Sequence, residues 1–121
     1  MIPVVFINCR VAPFIDMIMR MLKLYETRTR DTLRSVVGQR VLLAETGRER
    51  RPLVRCSAVI GQPVIIRSRS DWRRLRKACR IAPGSTYDWQ PLTKVKYLYP
   101  LLDVVPLDPF TPPEGTRHGR V

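Results

Sequence analysis

The sequence has few of the residues that build metal and nucleophilic sites. Its one histidine is His118, so neither a zinc set of histidine and cysteine nor a Ser–His or Cys–His pair is expected. The three cysteines, Cys9, Cys56 and Cys79, lack C-x-x-C spacing and lie among apolar residues. An odd number without a disulfide framework is typical of a reducing cytosol. We therefore predict a cytoplasmic protein that uses no metal and no cofactor.

Long apolar runs are also absent. Asp16 interrupts the best candidate for a membrane span, and Arg20 and Lys23 close it. The N-terminal segment has no basic stretch ahead of an apolar one. We expect neither a signal peptide nor a membrane partner.

Acidic residues are scarce as well, with 10 Asp and Glu against 22 Lys and Arg and a formal net charge of +12. This excess favours a polyanionic partner, nucleic acid first; solubility or a codon bias toward arginine is the alternative explanation. The 45% apolar fraction of the 121 residues supports one core but not two. We predict a monomer with one domain over residues 1–106 and a proline- and glycine-rich tail over residues 107–121.

Hydrophobic patterning predicts a mixed fold that is rich in strands. The β-branched run from Ile2 to Ile7 indicates a buried strand. Apolar residues at helical spacing predict a helix from Val11 to Met21. Leu53 to Ile66 indicates one long, bent or broken strand, and Lys96 to Val105 a closing strand interrupted at Pro100.

The segment from Lys23 to Arg30 places three charges directly after the apolar helical pattern. In an extended strand, Glu26 and Arg28 share a face with Leu24, and Lys23 lies on the other face. A carboxylate on an apolar face points toward the partly enclosed interior of a small sheet or barrel, where it must be paired or neutralised. The group is either a structural ion pair or the polar floor of a cleft that orients a base or water and receives a phosphate.

Four features follow one another along the chain: a helix that ends near Lys23, the K-x-x-E-x-R pattern of Lys23 to Arg28, a turn at Gly38, and an apolar strand from Arg40 to Thr46. In their order and spacing the chain resembles an ASCH domain. The resemblance implies an α+β, mainly β fold: a small PUA-like β-barrel of about five to six strands with two or three flanking helices. It also implies that the strand ending at Thr46 reaches the cleft, near Glu26.

Arg67 to Arg80 is the most basic stretch, with seven cationic residues against Asp71 alone. Ser70 is predicted to cap a helix here, with Trp72 and Leu75 facing the core. The opposite face is either solvated or a surface that follows phosphates, and the net sign of the chain favours the second. This face carries Arg73, Arg76, Lys77 and Arg80.

The first functional hypothesis is nucleic-acid binding, with RNA expected before DNA. The resemblance implies an RNA-associated or coactivator-type module, but it does not by itself choose RNA over DNA. The coactivator role adds other proteins as partners. A nucleotide is expected in a cleft of Lys23, Glu26, Arg28 and Thr46. Phosphates are expected on the Arg48 to Arg55 segment, at Arg48 above all, and on the basic helix.

The alternative is a small hydrolase that acts on a modified nucleoside or on an RNA chain. Some of the wider ASCH group resemble amidohydrolases of acetylated cytidine that use a lysine, a threonine and a glutamate. Lys23 matches that lysine, but Glu26 stands where the threonine is found, and the late glutamate has only Asp71 as a loose candidate. This departure argues against the same mechanism. Glu26 as general base with Lys23 stabilising negative charge is the catalytic pair that remains.

Overall fold

The computed structural model describes residues 2–48 and 51–113. Within these ranges the chain forms six strands, two α-helices and one short 3-10 helix. In chain order the elements are β1 (Val4–Asn8), α1 (Phe14–Met19), β2 (Tyr25–Arg28), the 3-10 helix (Arg34–Val36), β3 (Arg40–Thr46), β4 (Leu53–Ile60), β5 (Val64–Ile66), α2 (Arg69–Cys79) and β6 (Lys96–Phe110).

The strands form one curled sheet, a half-barrel, in the order β1-β3-β4-β6-β2, with β5 paired to β6. β1 runs parallel to β3, and the other pairs are antiparallel. Register shifts in the β3–β4 and β4–β6 ladders accompany this curvature. The mainly β architecture predicted from the sequence is confirmed.

The core lies inside the curl and is covered by the two α-helices. α1 buries Phe14, Ile15 and Ile18 against it, and α2 contributes the fully buried indole of Trp72. Tyr99 fills the centre from β6. Its hydroxyl donates to the carboxylate of Asp31 and accepts the main-chain N–H of Leu33.

α1 is shorter than the predicted Val11 to Met21 helix. Val11 precedes the helix and is exposed, and Pro13 stands at the N-cap position. Met21 adopts a left-handed backbone with φ of 61°, which an α-helix cannot continue. The chain therefore turns before Lys23, and this turn decides the geometry of the site described below.

The Leu53 to Ile66 stretch is broken, as predicted, into β4 and β5, and the Gly61 N–H between them donates to the carbonyl of Pro100 at 2.9 Å. The predicted interruption of the last strand at Pro100 is wrong, because β6 continues through it to Phe110. Past Pro100, β6 pairs only with β4 in the described chain, so one side of the strand tolerates prolines that lack an N–H. β6 thus extends beyond the boundary predicted at residue 106, and residues 114–121 of the predicted tail lie outside the described chain.

Neither helix in the described ranges has the length and apolar character needed to cross a lipid bilayer.

Candidate functional site

The sheet is open between its outer strands, β1 and β2, since within the described residues β1 pairs only with β3 and β2 only with β6. A cleft of about 150 Å³ lies at this opening, a volume that accommodates a single aromatic ring. The strands, α1 and the segments before β2 and after α2 supply its lining. The lining residues are Phe6, Ile7, Asn8, Phe14, Lys23, Glu26, Thr27, Arg28, Ile81 and Tyr87.

Glu26 and Arg28 stand two residues apart on β2, so their side chains share a face. Arg28 Nη2 donates to Glu26 Oε2 at 2.7 Å and to the main-chain carbonyl of Phe6 at 3.1 Å. The side chains are only 11% and 18% exposed, respectively. The carboxylate is therefore paired, as predicted, and Arg28 bridges the opening from β2 to β1.

Lys23 also lies beside this pair, which strand alternation did not predict. Alternation puts Lys23 within a strand, on the face opposite Glu26, but β2 begins only at Tyr25. The turn at Met21 directs the Lys23 side chain into the core instead. Its Nζ lies 3.9 Å from Glu26 Oε1, so the structure brings the three predicted charges together.

The Lys23 ammonium is enclosed almost completely, with its side chain 1% exposed. Nζ donates to the main-chain carbonyl of Cys79 at 2.7 Å and lies 4.7 Å from the centroid of the Phe14 ring. Burial lowers the pKa of Lys23, and the nearby Glu26 carboxylate only partly opposes this effect. The site therefore contains an amine whose proton is held less tightly than usual.

Two aromatic rings wall the cleft. Phe14 and Tyr87 meet edge to face, with centroids 6.0 Å apart. The carbonyl of Tyr87 accepts a hydrogen bond of 2.7 Å from Nζ of the buried Lys96, which also lies 4.6 Å from the Trp72 ring centroid. Burial lowers the pKa of Lys96 as well. A second enclosed lysine thus holds the Tyr87 loop in place.

Asp88 anchors the same loop and was missed at the sequence level. Its carboxylate accepts hydrogen bonds from Trp72 Nε1 at 2.6 Å and from the main-chain N–H groups of Gly84 and Trp89, each at 2.8 Å. Burial acts to raise its pKa, but these donors and Arg76 outweigh burial and lower the pKa to about 2. The only signal was an aspartate between two aromatic residues at the start of a polar loop.

The N-cap of the α2 helix lies two residues earlier than predicted. Ser68, not Ser70, is the N-cap, and its hydroxyl accepts the Asp71 N–H at 3.2 Å. Trp72 and Cys79 are buried, as expected of the apolar face.

The predicted basic face of α2 divides into two groups. Arg73 and Lys77 are exposed. Arg76 is half-buried and lies 3.7 Å from the Asp88 carboxylate. Arg80 takes a left-handed backbone at the C-cap, and its Nε donates to the Leu22 carbonyl at 2.7 Å. Two of the four cations thus also help to hold the fold around the cleft.

Thr46 and Arg48 lie apart from the cleft. Thr46 is the register partner of Asn8, and β1 stands between β3 and the opening, so Thr46 is not among the lining residues. Arg48 belongs to a separate depression of about 910 Å³ at the end of β1 and β3, called here the arginine basin. Arg10, Glu45, Gly47, Arg48, Arg51, Leu53 and Arg55 line it.

Over residues 2–48 and 51–113, no group of three His, Cys, Asp or Glu side chains is arranged to hold a metal ion. His118 lies outside these ranges.

No protein-family model matches the chain, and no curated protein is detectably similar to it in sequence. Its structure, however, is similar to the crystal structure of ASCH from Zymomonas mobilis, with a TM-score of 0.69 and 19% identity over 89% of this chain and 71% of that one. For the crystal structure of a tyrosine-to-phenylalanine mutant of the same protein, the TM-score is 0.71 and the identity 19%, over 89% of this chain and 73% of that one. For a serine-to-alanine mutant, the TM-score is 0.71 and the identity 21%, over 89% of this chain and 72% of that one.

The chain has the fold of an ASCH domain. This confirms the likeness predicted from the order of the Lys23 to Arg28 motif, the Gly38 turn and the Arg40 to Thr46 strand. At this level of identity the likeness concerns the fold, and the chemistry of the cleft depends on the residues that the chain itself places there.

Proposed function

We propose that this ASCH-fold protein binds single-stranded nucleic acid, RNA in preference to DNA, and holds one unpaired base in the cleft between β1 and β2. The observation that carries the proposal is the cleft itself: a volume suited to one ring, aromatic walls, and the three charged side chains of Lys23, Glu26 and Arg28. Bases of a duplex are stacked and paired, whereas an unpaired base can turn into such a cleft. The preference for RNA rests on the ASCH resemblance.

The charges in the cleft favour a base that carries both an amino group and a carbonyl. Glu26 Oε2 is bound by Arg28 at 2.7 Å, while Oε1 is 3.9 Å from Lys23 Nζ and can accept a hydrogen bond from an exocyclic amino group. The cations of Lys23 and Arg28 suit a carbonyl oxygen. Cytosine has this combination, and uracil lacks the amino donor.

The exposed cations of α2 are placed to follow the strand beyond the base. The cleft and the helix are continuous, because Ile81, just after α2, lines the cleft and Cys79, at its end, accepts the Lys23 hydrogen bond. Arg73 and Lys77 are exposed and can therefore contact phosphates, whereas Arg76 forms an ion pair with Asp88. Binding is therefore expected to weaken as salt is added.

Fluorescence anisotropy with labelled oligocytidine and oligouridine tests the cleft. We expect the wild type to prefer oligocytidine by about tenfold and Glu26→Gln to lose that preference. Asp71→Asn, which removes an exposed carboxylate paired with Arg74, is the matched control and should keep it. Equal binding of both oligomers by the wild type would remove the cleft from the proposal, and no binding of any single strand at low salt would overturn the proposal itself.

Charge reversal tests the contribution of α2. The double variant Arg73→Glu, Lys77→Glu should bind oligocytidine and oligouridine more weakly, and by the same factor. A double reversal of the exposed Arg20 and Arg34, which lie outside α2, is the control for net charge. Equal losses in the two double variants would mean that α2 has no particular role.

A hydrolase is the second candidate, favoured by the enclosed Lys23 with its lowered pKa beside the Glu26 carboxylate. In that reaction Glu26 would take a proton from water as the water attacks the acetyl carbon of an N-acetylated cytidine. Lys23 would stabilise the oxyanion, and the protonated Glu26 would then give its proton to the leaving nitrogen as the C–N bond breaks, releasing acetate and the free amine. A ribonuclease would use the same two groups on a phosphodiester.

Turnover of acetylated cytidine and of short RNAs decides this second candidate. Lys23→Ala and Glu26→Gln should each abolish product formation, while Arg34→Ala, at an exposed residue outside the cleft and α2, should not. Identical background rates in all proteins would end the enzyme hypothesis without affecting the binding proposal. A monomeric state, a cytoplasmic location and coactivator-type protein partners stay predictions.

A further inference from the structure

The arginine basin collects cations from three separate parts of the chain. Arg10 follows β1, Arg48 and Arg51 follow β3, and Arg55 projects from β4. Among the described residues of its lining, Glu45 is the one that is acidic. The parallel pairing of β1 with β3 brings the ends of these strands side by side, with Asn8 opposite Thr46. The basin is thus a product of the fold and not of a single basic stretch.

The arginines of the basin differ in how they are held. Glu45 is bound by Arg48 Nε at 2.8 Å and by Arg55 Nη1 at 3.4 Å, and Arg55 Nη1 also lies 2.7 Å from Asp16 Oδ1. Arg10 and Arg51 are exposed, and among the described carboxylates none lies within ion-pair distance of either. The carboxylates therefore orient two guanidinium groups and leave two others for a ligand.

The basin and the cleft share a wall. Asn8 lines the cleft and Arg10 lines the basin, and the Arg10 N–H donates to Asn8 Oδ1 at 2.9 Å. This hydrogen bond closes a turn just after the end of β1, so the cleft and the basin lie next to each other. The backbone of Gly47 packs closely against the Asn8 side chain, because a Cβ built on Gly47 would lie 2.3 Å from Asn8 Oδ1.

We propose that the arginine basin is a phosphate subsite for the nucleotide next to the base held in the cleft, so that the strand crosses the Asn8 wall from cleft to basin. This inference rests on the proposed function and extends it. Arg10 and Arg51 contact the phosphate directly, since guanidinium forks match phosphate oxygens. The preferred ligand is then a single strand of at least two nucleotides and not a mononucleotide.

Salt dependence of oligonucleotide binding measures the subsite. Each phosphate contact to a single strand contributes about 0.7 to the slope of log affinity against log salt. Because both arginines contact the same phosphate, the Arg10→Gln, Arg51→Gln double variant should lower the magnitude of the slope for labelled oligocytidine by about 0.7. It should also remove most of the gain in affinity between cytidine monophosphate and the dinucleotide.

Arg34→Gln is the matched control for loss of one charge. Arg34 is exposed and lies in the 3-10 helix just before β3, whereas the basin lies at the far end of β3, about 20 Å along the strand. We expect Arg34→Gln to change the slope less than either Arg10→Gln or Arg51→Gln alone. A wild type that binds no oligonucleotide would overturn the proposed function. A wild type that binds, with equal slopes in the basin and control variants, would overturn the subsite alone.

Glu45→Gln gives a test in the opposite direction. Removing the negative charge of Glu45 from the basin lining should raise affinity for the dinucleotide by about threefold, an effect that lost folding stability cannot produce. Unchanged or weaker binding by a Glu45→Gln protein with a wild-type circular dichroism spectrum would contradict a phosphate in the basin.

Discussion

The Lys23 ammonium and the Glu26 carboxylate lie 3.9 Å apart, close enough for a strong electrostatic attraction and too far for a direct hydrogen bond. Each has its nearer partner elsewhere: Cys79 accepts from Lys23, and Arg28 donates to Glu26. A polar group of a base, placed beside the pair and within hydrogen-bond distance of each atom, would contact both charges at once.

Lys23 should make the free energy of unfolding change with pH in the alkaline range. Burial lowers its pKa from the ordinary 10.5, so below pH 10.5 the unfolded chain binds more protons than the folded one, and the free energy of unfolding rises with pH. We expect Lys23→Met to reduce this rise as the pH approaches 10.5 from below, measured by urea unfolding. The exposed Lys77→Met should keep the wild-type slope. A Lys23→Met protein with that slope too would show that the amine titrates normally.

Glu26 should be needed for folding as well as for ligand binding. Glu26→Gln leaves two enclosed cations without their carboxylate, and breaking a buried ion pair costs about 3 kcal/mol of unfolding free energy. Asp71→Asn breaks the exposed pair with Arg74 and should cost less than about 1 kcal/mol. Chemical denaturation of both variants checks the difference, and equal losses would mean that solvent screens the Glu26 cluster.

Asp88 should protect the fold against acid. Its pKa is lowered from 3.8 to about 2, so its contribution is fully present above pH 3.8 and is lost as the pH falls through about 2. The shift corresponds to about 2 kcal/mol. Thermal unfolding should show Asp88→Asn less stable than the wild type at pH 5, with the gap closing toward pH 2. Asp108→Asn, on the exposed part of β6, should show no such convergence.

Gly47 and Gly38 offer a matched pair of substitutions. Both have φ of 82°, but a Cβ on Gly38 meets nothing within 4 Å, whereas one on Gly47 meets Asn8 Oδ1 at 2.3 Å. Gly38→Ala should cost about 1 kcal/mol of unfolding free energy for the left-handed backbone alone. Gly47→Ala should cost at least about 1 kcal/mol more and should weaken oligonucleotide binding by displacing Asn8. Equal costs in the two variants would mean that Asn8 moves aside freely.

Local patterns were enough to predict the fold. The motif from Lys23 to Arg28, the Gly38 turn and the following strand carry information within a few residues, and their order indicated the ASCH architecture. The pairing of Glu26 with Arg28 followed from strand alternation. Lys23 reached the same cluster only because Met21 turns the chain, and a left-handed methionine leaves no trace in hydrophobic periodicity.

Contacts distant in sequence were beyond prediction. Asp88 is anchored by Trp72, and the arginine basin joins Arg10 to Arg55, through pairings that depend on the finished sheet. Thr46 was expected at the cleft, yet the parallel β1–β3 ladder places β1 in between. The prolines of β6 suggested a tail. A strand that pairs on one side only tolerates proline, but composition does not reveal that the strand is paired in this way.

The position of β6 in the sheet sets an order of assembly. β2, which supplies Glu26 and Arg28, has β6 as its one strand partner in the described chain, and β6 follows it by more than sixty residues of sequence. During synthesis on the ribosome, β2 must therefore wait until Lys96–Phe110 has emerged before it can be held in place. A nascent chain arrested before that point would carry every charged group of the cleft and still have no site.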